Sequence, residues 1–115
     1  MENELSSLQR RTQLQEELEG MLGSDQVHFQ PNLDTHMIYP AIVYSRDSAY
    51  VDYADNLAYR KMDHYELTLI DLEPDSPVFD LLEDRPYTRH VRTFVSDGLN
   101  HYVFDLYHYP TRSIV

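Results

Sequence analysis

Two segments of the chain alternate apolar and polar residues, and this alternation is the feature that most restricts the fold. In "DHYELTLIDLEP" the side chains of Tyr65, Leu67 and Leu69 face one way, and the residues between them face the other. A period of two residues is that of a β-strand with one buried face, because successive side chains point to opposite sides of a sheet. The chain therefore has to bury one face of a sheet against another layer of structure.

The second alternating segment lies near the C-terminus and forms one arm of a predicted hairpin. "HVRTFV" is followed by "SDGLN" and "HYVFDLYHY", and Asp97-Gly98 is typical of a tight turn between antiparallel strands. The apolar face of the second arm carries Tyr102, Phe104 and Leu106. Its other face carries His101, Val103, Asp105 and Tyr107. The polar residues of this segment are therefore predicted to line a sheet face rather than a catalytic centre.

Two other segments favour helices. Residues 3–22 are rich in good helix formers and are followed by Gly23, a common helix stop. Their apolar stripe at helical spacing consists of Leu8, Leu14, Leu18, Met21 and Leu22. The second helix has Ser76 as its N-cap and Pro77 in its first position, and it ends before Pro86. Its apolar set consists of Val78, Phe79, Leu81 and Leu82.

The remaining segments favour two further strands and a long connection. Val27 and Phe29 alternate with polar neighbours and predict a short strand. Pro40 cannot donate to a strand ladder, so a strand over residues 41–45 is predicted to begin after it. The polar, tyrosine-rich stretch over about 46–61 is interpreted as a long hairpin connection or an extended arm.

These elements predict a single α+β domain over residues 1–115. The order is α-β-β-β-α-β-β, with an antiparallel or mixed β-sheet and two helices on one face. The connection at about 46–61, whose best turn signal is Asp55-Asn56, is long for a compact domain. Connections of this length tend to be functional.

The charge balance excludes several classes of function. With 20 acidic and 9 basic side chains, the formal net charge is −11, which argues against sequence-independent binding to nucleic acid phosphates. There are no cysteines, so thiolate catalysis and thiolate metal sites are excluded. The apolar runs are too short to span a bilayer and the N-terminus lacks a signal-peptide pattern, so we expect no membrane contact.

No catalytic motif is visible, and we expect neither an enzyme nor a cofactor. The six His residues include no H-E-x-x-H pair, and a chain with only three Gly can hardly form glycine-rich phosphate-binding loops. One alternative stays open at this point. His64 and His101 could approach each other across neighbouring strands, with Asp63 and Asp105 nearby, and a metal hydrolase could use His64, His101 and Asp105.

Charges of opposite sign are adjacent in the sequence. Residues 71–84 hold six acids and no base, and Arg85, Arg89 and Arg92 follow them. The two segments are either a solvated rim with balancing charges, or two patches that meet between copies of the chain. A head-to-tail contact of the second kind makes a ring when its rotation closes.

Four pieces of the sequence, taken in order and spacing, resemble a known family. They are Tyr39-Pro40, "YADNLAY" at 53–59, "YELTLIDLEPDS" at 65–76 and "DGLNHYVFDLY" at 97–107. Together they cover most of residues 37–108 and are similar to tail terminator, or tail-completion, proteins of long-tailed, non-contractile bacteriophages. The first helix matches that family only in kind.

The resemblance implies a structural protein of the virion, assembled in the host cytoplasm and located at the neck of the tail. Such a protein is a small α+β sandwich that forms a homo-hexameric ring on the last ring of the major tail tube protein. The ring ends tube polymerisation and presents a surface to the head-closure (stopper) protein. DNA passes through its lumen without specific binding, which the acidic composition suits.

On this interpretation the connection and the corner at 84–92 carry subunit or partner contacts, together with the polar face of the last strand. The candidate contact residues are Tyr50, Tyr53, Asp55, Asn56, Tyr59, Arg60, Arg85, Arg89, Arg92, His101, Asp105 and Tyr107. Two alternatives remain besides the metal hydrolase: another head-tail connector protein of the neck, and a small acidic inhibitor that mimics DNA.

Overall fold

A computed structural model describes residues 5–52 and 60–108, and within them the side chains of 48–52 and 60–62 are not described. The elements, in chain order, are α1 (Ser7–Leu22), β1 (Val27–Phe29), β2 (Ala41–Asp52), β3 (Arg60–Asp71), α2 (Pro77–Asp84), β4 (Thr88–Ser96) and β5 (Leu99–His108). The strands form one sheet in the order β1-β2-β3-β5-β4, in which β1 is parallel to β2 and the other pairs are antiparallel. The predicted α+β class and element order are confirmed.

Helix α1 is bounded by local hydrogen bonds at both ends. The Ser6 hydroxyl accepts from the Gln9 amide, and the Gln9 side chain accepts from the Ser6 amide, so a capping box starts the helix at Ser7. Gly23 follows it in the left-handed region with φ of 80°. Leu8 was expected in the buried stripe, but its side chain is 62% exposed. At 3.6 residues per turn it lies roughly 120° around the helix from Leu14, beyond the edge of the stripe.

Helix α2 follows its predicted bounds. The Ser76 hydroxyl accepts from the Val78 amide, Pro77 occupies the first position, and the helix ends at Asp84, before Pro86. Leu81 was expected in the apolar set, but it is 49% exposed. Val78 and Leu82 are buried, four residues apart on one side of the helix.

The core lies between the two helices and one face of the sheet. From the helices it takes Leu14, Leu18, Val78 and Leu82, and from the strands Val27, Ile42, Tyr44, Tyr65, Leu67, Leu69, Tyr102, Phe104 and Leu106. The core residues from β3 and β5 are those whose alternation in the sequence predicted a buried face. Both helices therefore cover the same side of the sheet, as predicted.

The hairpin of β4 and β5 forms through the turn that the sequence predicted. Asp97 and Gly98 have φ of 54° and 75°, as a two-residue hairpin turn requires. The turn pairs Ser96 with Leu99. A bulge between His90 and Arg92 then shifts the register by one residue.

The stretch over about 46–61, interpreted as a long hairpin connection or an extended arm, is largely paired strand, so the strand predicted over 41–45 is longer than expected. Strand β2 runs to Asp52 and β3 begins at Arg60, with Val51 opposite Lys61. The backbone pairs there although the sequence has no clear alternation, so the pattern gave no strand signal. Residues 53–59, including the predicted turn at Asp55-Asn56, lie outside the described part of the chain.

Arg85 connects α1, α2 and the last strand through several hydrogen bonds. Its guanidinium donates to both carboxylate oxygens of Glu17 at 2.7 and 3.2 Å. It also donates to the backbone carbonyls of Pro86 and Tyr107 and to the Thr88 hydroxyl. Its side chain is only 9% exposed. This arginine therefore holds the corner between α2 and β4 against α1.

We expect Arg85→Met to lower the free energy of unfolding by about 2 kcal/mol, because it leaves the partly buried Glu17 carboxylate and Tyr107 carbonyl without their donor. Arg92→Met is the matched control, since Arg92 is exposed on the same strand-helix corner, and it should change stability by less than about 0.5 kcal/mol. Urea unfolding of both variants measures the difference. Equal effects would show that the Arg85 hydrogen bonds contribute no net stability.

Candidate interaction surface

The side of the sheet opposite the helices, the open face, carries most of the described side chains that the sequence singled out. Strand register aligns its residues in rows across β2, β3, β5 and β4. One row consists of Ala41, Ile70, His101 and Phe94. Another, nearer the end of the sheet where β2 leaves the body, consists of Ser45, Glu66, Asp105 and Arg89. The open face is thus apolar at one end and charged at the other.

At the apolar end, His101 is an internal packing residue rather than part of a polar cluster. Its ring stacks on Phe94 with centroids 4.6 Å apart. Its Nδ1 lies 3.0 Å from the Leu99 carbonyl oxygen. Phe94 remains 42% exposed on its other side.

At the charged end, Asp47, His64, Arg89, Asp105 and Tyr107 form a group that we name the charged cluster. The His64 ring lies between two carboxylates, 3.4 Å from Asp47 and 3.2 Å from Asp105, and stacks on Tyr107 with centroids 4.4 Å apart. Asp105 also accepts from Arg89 at 3.0 Å. Since Asp47 lies in the bulge at 46–49, the cluster fixes the point where the β2–β3 hairpin leaves the sheet.

Of the twelve candidate contact residues, the structure brings Arg89, Asp105 and Tyr107 together in the charged cluster. Arg92 is exposed on β4 opposite Val103. Arg85 points inward and is engaged within the subunit, so it offers little surface to a partner. For Tyr50 and Arg60 only the backbone is described, and it lies in the paired strands. Tyr53, Asp55, Asn56 and Tyr59 lie outside the described residues.

The metal site suggested by His64, His101 and Asp105 is not formed. Strands β3 and β5 are neighbours, as that idea required, but His64 lies opposite Tyr107 and His101 lies opposite Ile70. The two histidines are therefore separated by about 20 Å along the sheet, at roughly 3.4 Å per residue. Among the described residues, no group of three or more His, Asp or Glu is arranged to hold a metal ion.

Two residues of this surface were missed by the sequence reasoning. Phe94 could have been placed beside His101 from the Asp97-Gly98 turn, because a two-residue loop sets the register of the strands. Asp47 could not, since its contact with His64 depends on a bulge that has no sequence signal here.

Strand β4 adds an exposed edge beside the open face. Among the residues that the structure describes, it pairs only with β5 and is the last strand in the sheet order. Three of its apolar side chains are exposed: Val91 at 41%, Phe94 at 42% and Val95 at 66%. An exposed edge with apolar side chains is a ready template for another strand.

Between β3 and the end of α2, the acidic segment is mostly solvated. Asp71 is buried and accepts from the Glu73 amide, whereas the remaining acids of 71–84 are exposed. A small cavity of about 210 Å³ beside them is lined by Pro74, Asp75, Ser76, Phe79, Asp80, Thr93 and Tyr102. The Tyr102 hydroxyl donates to the Pro74 carbonyl at its wall, so the buried polar group there is satisfied.

Comparison with protein-family models and with curated proteins finds no match to this chain. Neither described helix is long and apolar enough to cross a membrane.

His108, at the end of β5, is a buried titratable group. It is 5% exposed, and within the described part of the chain its Nε2 has no hydrogen-bond partner. Burial, followed by the neighbouring Arg85 guanidinium, lowers the pKa of His108 below its usual 6.5, while Glu17 and Asp63 act in the opposite direction. The imidazole is therefore held neutral in the folded protein.

We expect stability to fall as the pH decreases below 6.5, because the unfolded chain then binds a proton that folded His108 does not. The contribution is constant above 6.5 and again below the lowered pKa of the folded state. His108→Gln should flatten this part of the profile, measured by urea unfolding at closely spaced pH values from 7.5 down to 5.5. His28→Gln, at a half-exposed histidine, is the control, and a profile unchanged by His108→Gln would contradict the assignment.

Proposed function

We propose that the chain is a structural protein of a phage neck. Six copies form a ring on the end of the tail tube, stop its polymerisation and provide the surface on which the head-closure protein docks. The proposal is supported by the resemblance over residues 37–108 and by an element order that agrees with the fold this resemblance implies. It needs no catalytic residue and no cofactor.

The arm, which we define as the paired strand ends 47–52 and 60–62, carries the proposal. Strand β1 pairs with β2 only as far as Tyr44. On the other strand, the described part of β5 pairs with β3 from Asp63 onward and not with the residues before it. The arm is thus a two-stranded ribbon among the described residues. A two-stranded ribbon alone is only marginally stable in water, so an arm of this kind favours contact with another subunit.

The charges support a head-to-tail contact. Arg89 and Arg92 are exposed on β4, whereas the acids of the α2 segment are exposed on the helix side. Contacts between two different patches repeat around a ring if the rotation closes. A hexamer would carry about six times the formal charge of the chain, which would repel DNA in the lumen wherever that charge faces inward.

The direct experiment mixes purified protein with tail tubes that lack their terminal ring and images them by negative-stain electron microscopy. We expect a ring at one end of each tube and no further growth when tube protein is added. Binding to the head connector instead of the tube would indicate another neck protein. Failure to bind either one would overturn the proposal, and a protein that is monomeric before docking would not.

We expect Arg92→Glu to reduce ring formation on tubes by at least about tenfold, because it reverses an exposed positive charge on β4 that a contact with a neighbouring acidic copy would use. Arg92→Lys keeps the charge and should assemble nearly as well as the unchanged protein. Both variants should unfold at the same urea concentration, since Arg92 is exposed. Equal assembly of the Glu and Lys variants, scored as capped tubes by microscopy, would show that charge matching at β4 is not used.

A further inference from the structure

We infer that the outer edge of β4 in one copy pairs with the outer edge of the arm in a second copy, so that neighbouring sheets join edge to edge. The inference deepens the proposed ring and rests on that function. It names the two surfaces that meet and the backbone contacts between them.

The β4 edge offers backbone donors at known positions. The two-residue turn makes Ser96 and Leu99 a hydrogen-bonded pair, and such pairs alternate along an antiparallel ladder. The amides of Thr93 and Val95 therefore point away from β5. Because β4 is the last strand in the order, these amides face outward from the sheet.

The side chains of this edge also favour a covering strand. Val95 is 66% exposed, and Phe94 and Val91 are each about two-fifths exposed. Arg89 and Arg92 flank these apolar residues on β4. A long edge of this composition is a hazard for uncontrolled strand pairing, and covering it with a fixed partner removes that hazard.

The arm provides the complementary edge. β1 ends at Phe29, opposite Tyr44, and its last contact with β2 is the Gln30 side chain, which accepts from the Arg46 amide at 3.1 Å. From 47 to 52 no described strand lies on the outer side of β2. The bulge at 46–49, held by His64 through Asp47, turns this free edge relative to the body.

Strand direction selects a second copy in a head-to-tail arrangement. Along the sheet, β2, β3, β5 and β4 alternate in direction, so β4 runs opposite to β2. A rotation about an axis close to the strand direction leaves the direction of every strand unchanged. It therefore places β2 of the next copy antiparallel to β4 of the first. The outer edge of β4 and the outer edge of the arm are different surfaces, so the contact is heterologous and can continue around a ring. Strands of neighbouring copies would be staggered along their length, as closed sheets require. A β4–β4 contact would instead close as a two-fold dimer.

The first test is Val95→Pro, which removes an outward amide and places a ring against the incoming strand, but breaks no bond to β5. We expect ring formation on tubes to fall at least about tenfold while the urea midpoint stays within error. Val95→Thr, which keeps the amide, is the matched control and should assemble almost normally. Rings that form equally well with Val95→Pro would overturn the inference.

The second test uses single cysteines, because the chain has none of its own. Val95→Cys protein is mixed with Tyr50→Cys or Val51→Cys protein, assembled on tubes and oxidised with oxidised glutathione. Since neighbouring strand residues point to opposite faces, one of the two arm positions should lie on the Val95 side. We expect disulfides between β4 and the arm. Disulfides mainly between two Val95→Cys chains would indicate the two-fold dimer and overturn the inference.

The same samples separate this inference from the proposed function. Rings at tube ends without a disulfide between β4 and the arm would leave the function standing and overturn the edge pairing. Edge-paired disulfides in free protein that never binds a tube would support the pairing and overturn the function. No ring and no disulfide would overturn both.

Discussion

Burial of a single face of the sheet is the constraint on which the rest of this structure depends. Leu67 and Phe104 lie on the covered face, and both helices pack there because that face presents a continuous apolar surface. The opposite face keeps the polar residues of the same strands. His64, Asp105 and Arg89 meet on it because they share that face near the same end of the sheet.

The five described strands form an open sheet with two edge strands, and these differ in length. On one side β1 is only three residues long and leaves most of the outer edge of β2 without a described neighbour. On the other side β4 has nine residues and no outer partner within the described part of the chain. The protein therefore has two unequal edges that run in opposite directions. Unequal edges suit repeated head-to-tail contact, whereas equal edges would suit a two-fold dimer.

How far the fold could be predicted depended on whether each element had a local cause. The Asp97-Gly98 turn, the Ser76 cap and the alternation of β3 and β5 are local, and all of them are confirmed. The two bulges have no such cause in the sequence. Without the bulge at 90–92, the turn register would place His90 opposite Asp105, whereas the structure places Arg89 there. The charged cluster was therefore predicted in part, since Arg89, Asp105 and Tyr107 were candidate contacts, whereas the contact of Asp47 and the pairing of β4 depend on the bulges. The arm was predicted only as one of two alternatives, because its strand pairing continues without alternation.

The three arginines of the basic segment show why charge in sequence is a weak guide to contact surfaces. Arg85 comes at the end of α2, where the chain turns inward, so its guanidinium is used to hold α1 through Glu17. Arg89 is exposed but already paired with Asp105 on its own sheet. Arg92 follows the bulge and is exposed on the free edge strand. The bulge thus places two arginines of the same strand on the same face with different surroundings. Arg92, which lies opposite Val103 rather than a carboxylate, is the one from which a charge reaches a neighbouring subunit at least cost to the fold.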